Sequence, residues 1–148
     1  MRTLATTFLW QARRAAARIL PTPLCPPLRA ARVELRRGLQ LAFCLAATHH
    51  RTVVLEPCRE ATEGRVSVRL PEGVQWGRPV ATPLPSSLAG SGWRGDRPQP
   101  ITVMPQRRAA ANVWFLHHGR EALCLRLELS GAVELLRYRP VLGTWVAC

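Results

Sequence analysis

Apolar and polar positions alternate most regularly between Leu123 and Arg139, where Leu123, Leu125, Leu127 and Leu129 are separated by Cys124, Arg126 and Glu128. A period of two puts the two sets on opposite faces of an extended chain, which predicts a half-buried strand. The Ser130-Gly131 step then reads as a tight hairpin connection into a second strand over Ala132 to Arg139. Val113 to Leu116 predicts another strand before this pair, and Thr144 to Ala147 an edge strand after it. Further upstream Arg65 to Leu70 alternates as well, and Pro71-Glu72-Gly73 turns the chain into Val74-Gln75-Trp76.

The first half is patterned differently. Leu28, Ala31 and Leu35 against Arg29 and Arg36 suit a short helix ending near Arg37. Past Gly38, the positions Leu39, Leu41, Phe43 and Leu45 alternate, which predicts a buried strand, with Thr52 to Leu55 returning as its hairpin partner. Residues 79–106 are rich in Pro and Gly with little periodicity and read as a long extended arm. The fold class expected is therefore α+β, mainly β. An N-terminal amphipathic helix (1–20) and a Pro-rich linker (21–27) precede a small antiparallel β-domain (28–148), a barrel or sandwich of about six or seven strands.

Residues 1–20 carry Arg2, Arg13, Arg14 and Arg18 and no acid; the first acidic residue is Glu34. On a helix, Leu4, Phe8, Leu9, Ala12, Ala15, Ala16 and Ile19 fall on one side, with Thr3, Thr7, Arg14 and Arg18 on the other. That composition resembles a mitochondrial presequence and lacks the uninterrupted apolar core of a secretory signal. Removal after Leu20 would leave Pro21 first, a poor processing site, so a retained helix docked on a partner or a membrane surface is the alternative expectation. The most apolar run, Leu39 to Ala47, is less than half of the ~20 residues a bilayer helix needs.

Charge alters this picture less than its size implies. The 148 residues hold 21 basic side chains against 9 acidic ones, a formal net charge of +12, and none of the basic residues is lysine. Isoleucine, asparagine and tyrosine are also scarce, so codon bias in a GC-rich gene accounts for part of the arginine content. The position of each arginine is thus more informative than their total. The pairs Arg13-Arg14, Arg36-Arg37 and Arg107-Arg108 are the candidates for RNA phosphate contacts. Trp76 before Arg78 and Trp93 before Arg94 would supply stacking surfaces, although tryptophan serves equally as an interface anchor.

No catalytic constellation emerges. Gly90-Ser91-Gly92-Trp93-Arg94-Gly95 spells a dinucleotide-binding string but lies among prolines rather than between a strand and a helix. Without lysine there is no phosphate-binding P-loop and no Schiff-base nucleophile, and no carboxylate pair is spaced for general acid and base work. Cys44, Cys58, His117 and Cys124 are weak metal candidates, because thiolate and imidazole suit zinc but their spacing matches no structural site. Five cysteines fit no small disulfide scaffold and suit a reducing compartment. No cofactor is expected.

These features together predict a non-catalytic accessory subunit of a large mitochondrial assembly, in the matrix or on the matrix face of the inner membrane. A respiratory-chain or ATP synthase complex comes first, because the charged fraction of 20% is modest and Leu4, Phe8, Trp10 and Trp93 suit protein contacts. The mitochondrial ribosome, with arginines on rRNA, is the alternative. A small zinc-binding or interaction module is the third.

Overall fold

The computed structural model describes residues 22–58, 66–88 and 97–148, with Cys58 by its backbone alone. The amphipathic segment 1–20 and Trp93 lie outside the described residues. Thr22 to Cys25 are extended, and helix α1 then runs from Pro26 to His49. Its start needs no donor from Pro26 or Pro27, since the first helical N–H groups have no intrahelical partner. It stops at His50, whose left-handed backbone (φ 50°) turns its N–H onto the carbonyl of Ala46.

One helix therefore replaces the short helix and the strand expected over residues 28–45. The buried positions are Leu28, Ala31, Leu35, Gly38, Leu39, Ala42 and Ala46, an unbroken three-to-four spacing. Leu41 belongs to the apparent strand alternation yet is exposed, as is Cys44. The run is rich in Ala, Leu and Arg, which lose little or no side-chain freedom in a helix, and Val33 is its only β-branched residue before Thr48. Gly38, expected to break the helix, sits inside it because a Cβ there would lie 2.9 Å from Val68 Cγ2 and 3.4 Å from Leu55 Cδ1. The glycine costs helix propensity of about 1 kcal/mol and in return lets the helix approach the sheet beneath it.

That sheet has four strands in the order β2-β1-β4-β5, formed by β1 (Val53–Cys58), β2 (Val66–Arg69), β4 (Ile101–Met104) and β5 (Arg108–Ala109). It is mixed: β1 runs parallel to β2 and antiparallel to β4. Residues 53–55 thus pair with 101–103 and not with a hairpin partner at 39–45. Strand β4 corrects the reading of 79–106 as one continuous arm. Ile101 and Val103 point inward between the half-exposed Thr102 and Met104, an alternation too short to stand out among the surrounding prolines.

The second sheet is antiparallel, in the order β3-β6-β7-β8-β9, formed by β3 (Gln75–Trp76), β6 (Asn112–His118), β7 (Glu121–Leu127), β8 (Val133–Arg139) and β9 (Thr144–Ala147). The β7–β8 register pairs Leu127 with Val133, so the connection spans residues 128–132 and is longer than the two-residue turn expected. Two open sheets with nine strands between them, one pair parallel, make up the described β-structure in place of the closed barrel or antiparallel domain of about six or seven strands expected. Helix α1 packs on β1, β2 and β4 of one sheet and on β6 and β7 of the other.

Trp114, Leu116, Leu123, Leu125, Leu127 and Leu135 line the main core under the helix. Val113, Phe115, Cys124 and Leu136 project from the same strands to the opposite face, where Leu84, Leu88 and Trp145 cover them. The first part of the expected arm, residues 79–88, is thereby a lid on the second sheet, fastened by Trp145 Nε1 donating to the carbonyl of Pro83 at 2.8 Å.

Leu39→Ala and Leu41→Ala separate the helical from the extended arrangement, which would place both leucines on one face. Leu39→Ala should lower unfolding stability by about 2–5 kcal/mol, the usual range for a buried leucine. Leu41→Ala should change it by less than about 0.5–1 kcal/mol. Equal losses in urea titrations would contradict the helix.

Candidate functional site

An open groove of about 940 Å³ lies between the C-terminal half of α1 and the β7–β8 end of the second sheet. Leu39, Phe43 and Ala47 form one wall, and Val133, Leu135 and Cys148 the other. The helix contributes positions 39, 43 and 47 because they follow at intervals of four along one stripe. Val133 and Leu135 share a face of β8 by the period of two. Cys148 is held in place by its N–H donating to the carbonyl of Leu135 at 3.0 Å.

Arg36 and Arg107 flank this apolar floor, with Gln40, Thr48 and Ser130 beside them. The position of Arg107 depends on a second glycine. Its backbone is left-handed (φ 56°), and its carbonyl packs so closely on Gly131 (φ 82°) that a Cβ there would overlap it. The N–H of Gly131 donates to the carbonyl of Glu128 at 2.9 Å, closing the loop that forms the groove's rim.

The sequence-derived residues are distributed rather than gathered. Of the arginines suited to phosphate, Arg36 and Arg107 meet at the groove, whereas Arg37 pairs with Glu34 at 2.9 Å and Arg108 is exposed on β5. Arg13, Arg14, Leu4, Phe8 and Trp10 lie outside the described residues. The described tryptophans are engaged within the fold. Trp76 meets Trp114 edge-on with ring centroids 5.2 Å apart, and Trp145 packs on Phe115 and Tyr138. Arg78 lies 5.5 Å over the Phe115 ring, so Trp76 and Arg78 form no shared stacking platform.

The four weak metal candidates also separate. Cys44 is exposed at the groove, Cys124 is fully buried under the lid, and Cys58 ends β1 in the other sheet. His117 Nδ1 lies 2.9 Å from the carbonyl of Gly77, and His118 Nδ1 2.9 Å from that of Gly73. A carbonyl only accepts, so both rings carry their proton on Nδ1 and donate it, clamping residues 71–77 against β6. Among the described residues no group of three or more His, Cys, Asp or Glu side chains converges on one point. No described helix is long and apolar enough to cross a membrane.

Burial pushes the Cys124 thiol up to about 12 from its ordinary 9.0, reinforced by the charge of Glu134. Cys25 is raised too, chiefly by burial. These are structural thiols, held neutral at physiological pH. No single segment marks Phe43, Val133 and Cys148 as one surface. They become neighbours only when the helix crosses the second sheet.

The chain matches no protein-family model, no curated protein and no solved structure.

Cys124 provides a check on this burial. A thiol that ionises near 9.0 unfolded and near 12 folded leaves stability intact below pH 9 and withdraws it as pH rises from 9 to 12. Unfolding free energy should fall across that window, and Cys124→Ala should flatten the fall. In the folded protein at pH 8, iodoacetamide should label Cys44 and spare Cys124, as read by mass spectrometry. Labelling of Cys124 at the rate seen in denaturant would rule out a buried thiol.

Proposed function

We propose that this chain is a non-catalytic accessory subunit of a large mitochondrial assembly, a respiratory-chain or ATP synthase complex before any other. The observation carrying this reading is the groove: a wide trough with an apolar floor, open among the described residues and edged by two arginines. A concave apolar floor with a few polar groups at its rim is the shape in which a partner's side chains can be buried. Its length along α1 and its charge fit the apolar face of a partner-subunit helix with acidic residues beside that face. The acid-free, arginine-bearing N-terminus supports the mitochondrial address.

A ribosomal location is the second reading, favoured by Arg36 and Arg107 at the groove's rim, whose guanidinium groups suit phosphate and which, unlike Arg37 and Arg126, show no ion pair among the described residues.

Native co-purification with mass spectrometry of partners tests the assignment. Recovery with respiratory or ATP synthase subunits after detergent extraction is the expected result. Co-sedimentation with ribosomal subunits that shifts on RNase treatment would overturn it. Val133→Asp and Ala47→Glu, both at exposed groove positions, should lower partner recovery about tenfold, the effect of roughly 1.4 kcal/mol of lost binding. Their melting temperatures should stay close to that of the parent. Deleting residues 1–20 should abolish mitochondrial import, and continued import would remove the address.

A further inference from the structure

A second, smaller concavity of about 310 Å³ opens where the chain enters α1. Arg29 and Arg32, on the first turns of the helix, face Arg137 of β8 across it, with Thr22 and Leu24 beside them. Arg137 occupies a core-face position, two residues after Leu135, and is only 5% exposed. Its NH1 donates to the carbonyl of Thr22, while its buried Nε has no hydrogen-bond partner. Arg139 NH2 donates to Thr22 Oγ1 at 3.2 Å, and Arg29 NH2 to the carbonyl of Leu24 at 3.2 Å.

Those bonds use one donor of the five on each guanidinium and neutralise no charge. None of these four arginines belongs to an ion pair among the described residues. Glu121, the carboxylate that approaches this end of the helix, accepts from the N–H of Cys25 at 3.3 Å. A buried guanidinium without an anion is expensive, and its unpartnered Nε–H lacks an acceptor.

We propose that Arg29, Arg32 and Arg137 form a binding site for the phosphodiester backbone of RNA. Guanidinium forks match phosphate oxygens bidentately, and an oxygen seated among the three would give Arg137 Nε–H its missing acceptor. The positive charge is also drawn out in a line. Arg36 follows on the same side of α1 at the neighbouring groove, about 10 Å from Arg29 along the axis. Such a row suits a linear polyanion better than a single ion. The site is separate from the apolar floor of the groove and does not depend on the assembly proposed above.

The test uses the purified full chain and a labelled single-stranded oligouridylate, followed by fluorescence anisotropy across a salt series. Arg29→Gln with Arg32→Gln should weaken binding about tenfold or more and reduce the slope of log K against log salt by about 1.4, two contacts at ~0.7 each. Arg97→Gln with Arg120→Gln removes the same charge elsewhere and should weaken binding much less. Arg137→Lys keeps the charge and loses the fork; it should lower affinity, with thermal unfolding reporting separately on the fold. In ¹⁵N spectra, the Arg137 Nε–H resonance should shift on adding RNA, and more weakly with inorganic phosphate. Equal losses in the two double variants, an unmoved Arg137 resonance, or tighter binding to phosphatidylcholine vesicles containing cardiolipin than to RNA would each overturn the proposal. None of these outcomes bears on the groove, which is tested by its own partners.

Discussion

The close seating of α1 on the four-stranded sheet is the contact on which the rest of the structure depends. Neither sheet can cover itself, and the stripe from Leu28 to Ala46 fills the space above β1, β2 and β4 while reaching β6 and β7. Each of its buried leucines contributes about 1.5–3 kcal/mol by leaving water. Gly38 sets the distance: with no Cβ it admits Val68 and Leu55 almost to the helix backbone. A helix held farther out would leave voids in a core that depends on close packing.

The two concavities are consequences of that seating. The C-terminal half of α1 and the residues of β8 supply the two walls of the apolar groove. The N-terminal end is drawn toward β8, where Arg137 and Arg139 hold Thr22. One sheet edge thus presents an apolar trough and a cationic pocket, with Cys148 lining both. Residues 79–88 and Trp145 cover the opposite face of the same sheet in part, and beside them Leu88 and Val113 line a further concavity of about 440 Å³.

Arginine takes several distinct parts in this fold. Arg37 and Arg126 make exposed ion pairs, which are worth little individually. Arg78 lies over an aromatic ring. Arg29, Arg32 and Arg137 converge on one pocket whose described lining holds no carboxylate. Composition bias in the gene explains why so many positive charges are arginines; it does not explain why three of them share one pocket.

The sequence alone determined the strands whose alternation is long and whose two faces differ. Strands β7 and β8 follow the alternation expected over Leu123 to Leu129 and Ala132 to Arg139, though β7 ends at Leu127, and Leu28, Ala31 and Leu35 lie on the expected helical stripe, while Pro26 and Pro27, expected in the linker, open the helix. Tertiary structure decided what happens from residue 39 to 49. There, Leu39 to Ala47 is apolar at every position but Gln40 and so fits either period, and the partner surface of Leu55 and Val68 selects the helical stripe of Leu39, Ala42 and Ala46. The same holds for β4, four residues whose pairing with β1 gives them an inward face. It holds also for the groove and the arginine pocket, because Phe43 and Val133, or Arg29 and Arg137, are distant in sequence and become neighbours only by packing. Local periodicity records which side of an element is apolar, and a site is made where sides of different elements meet.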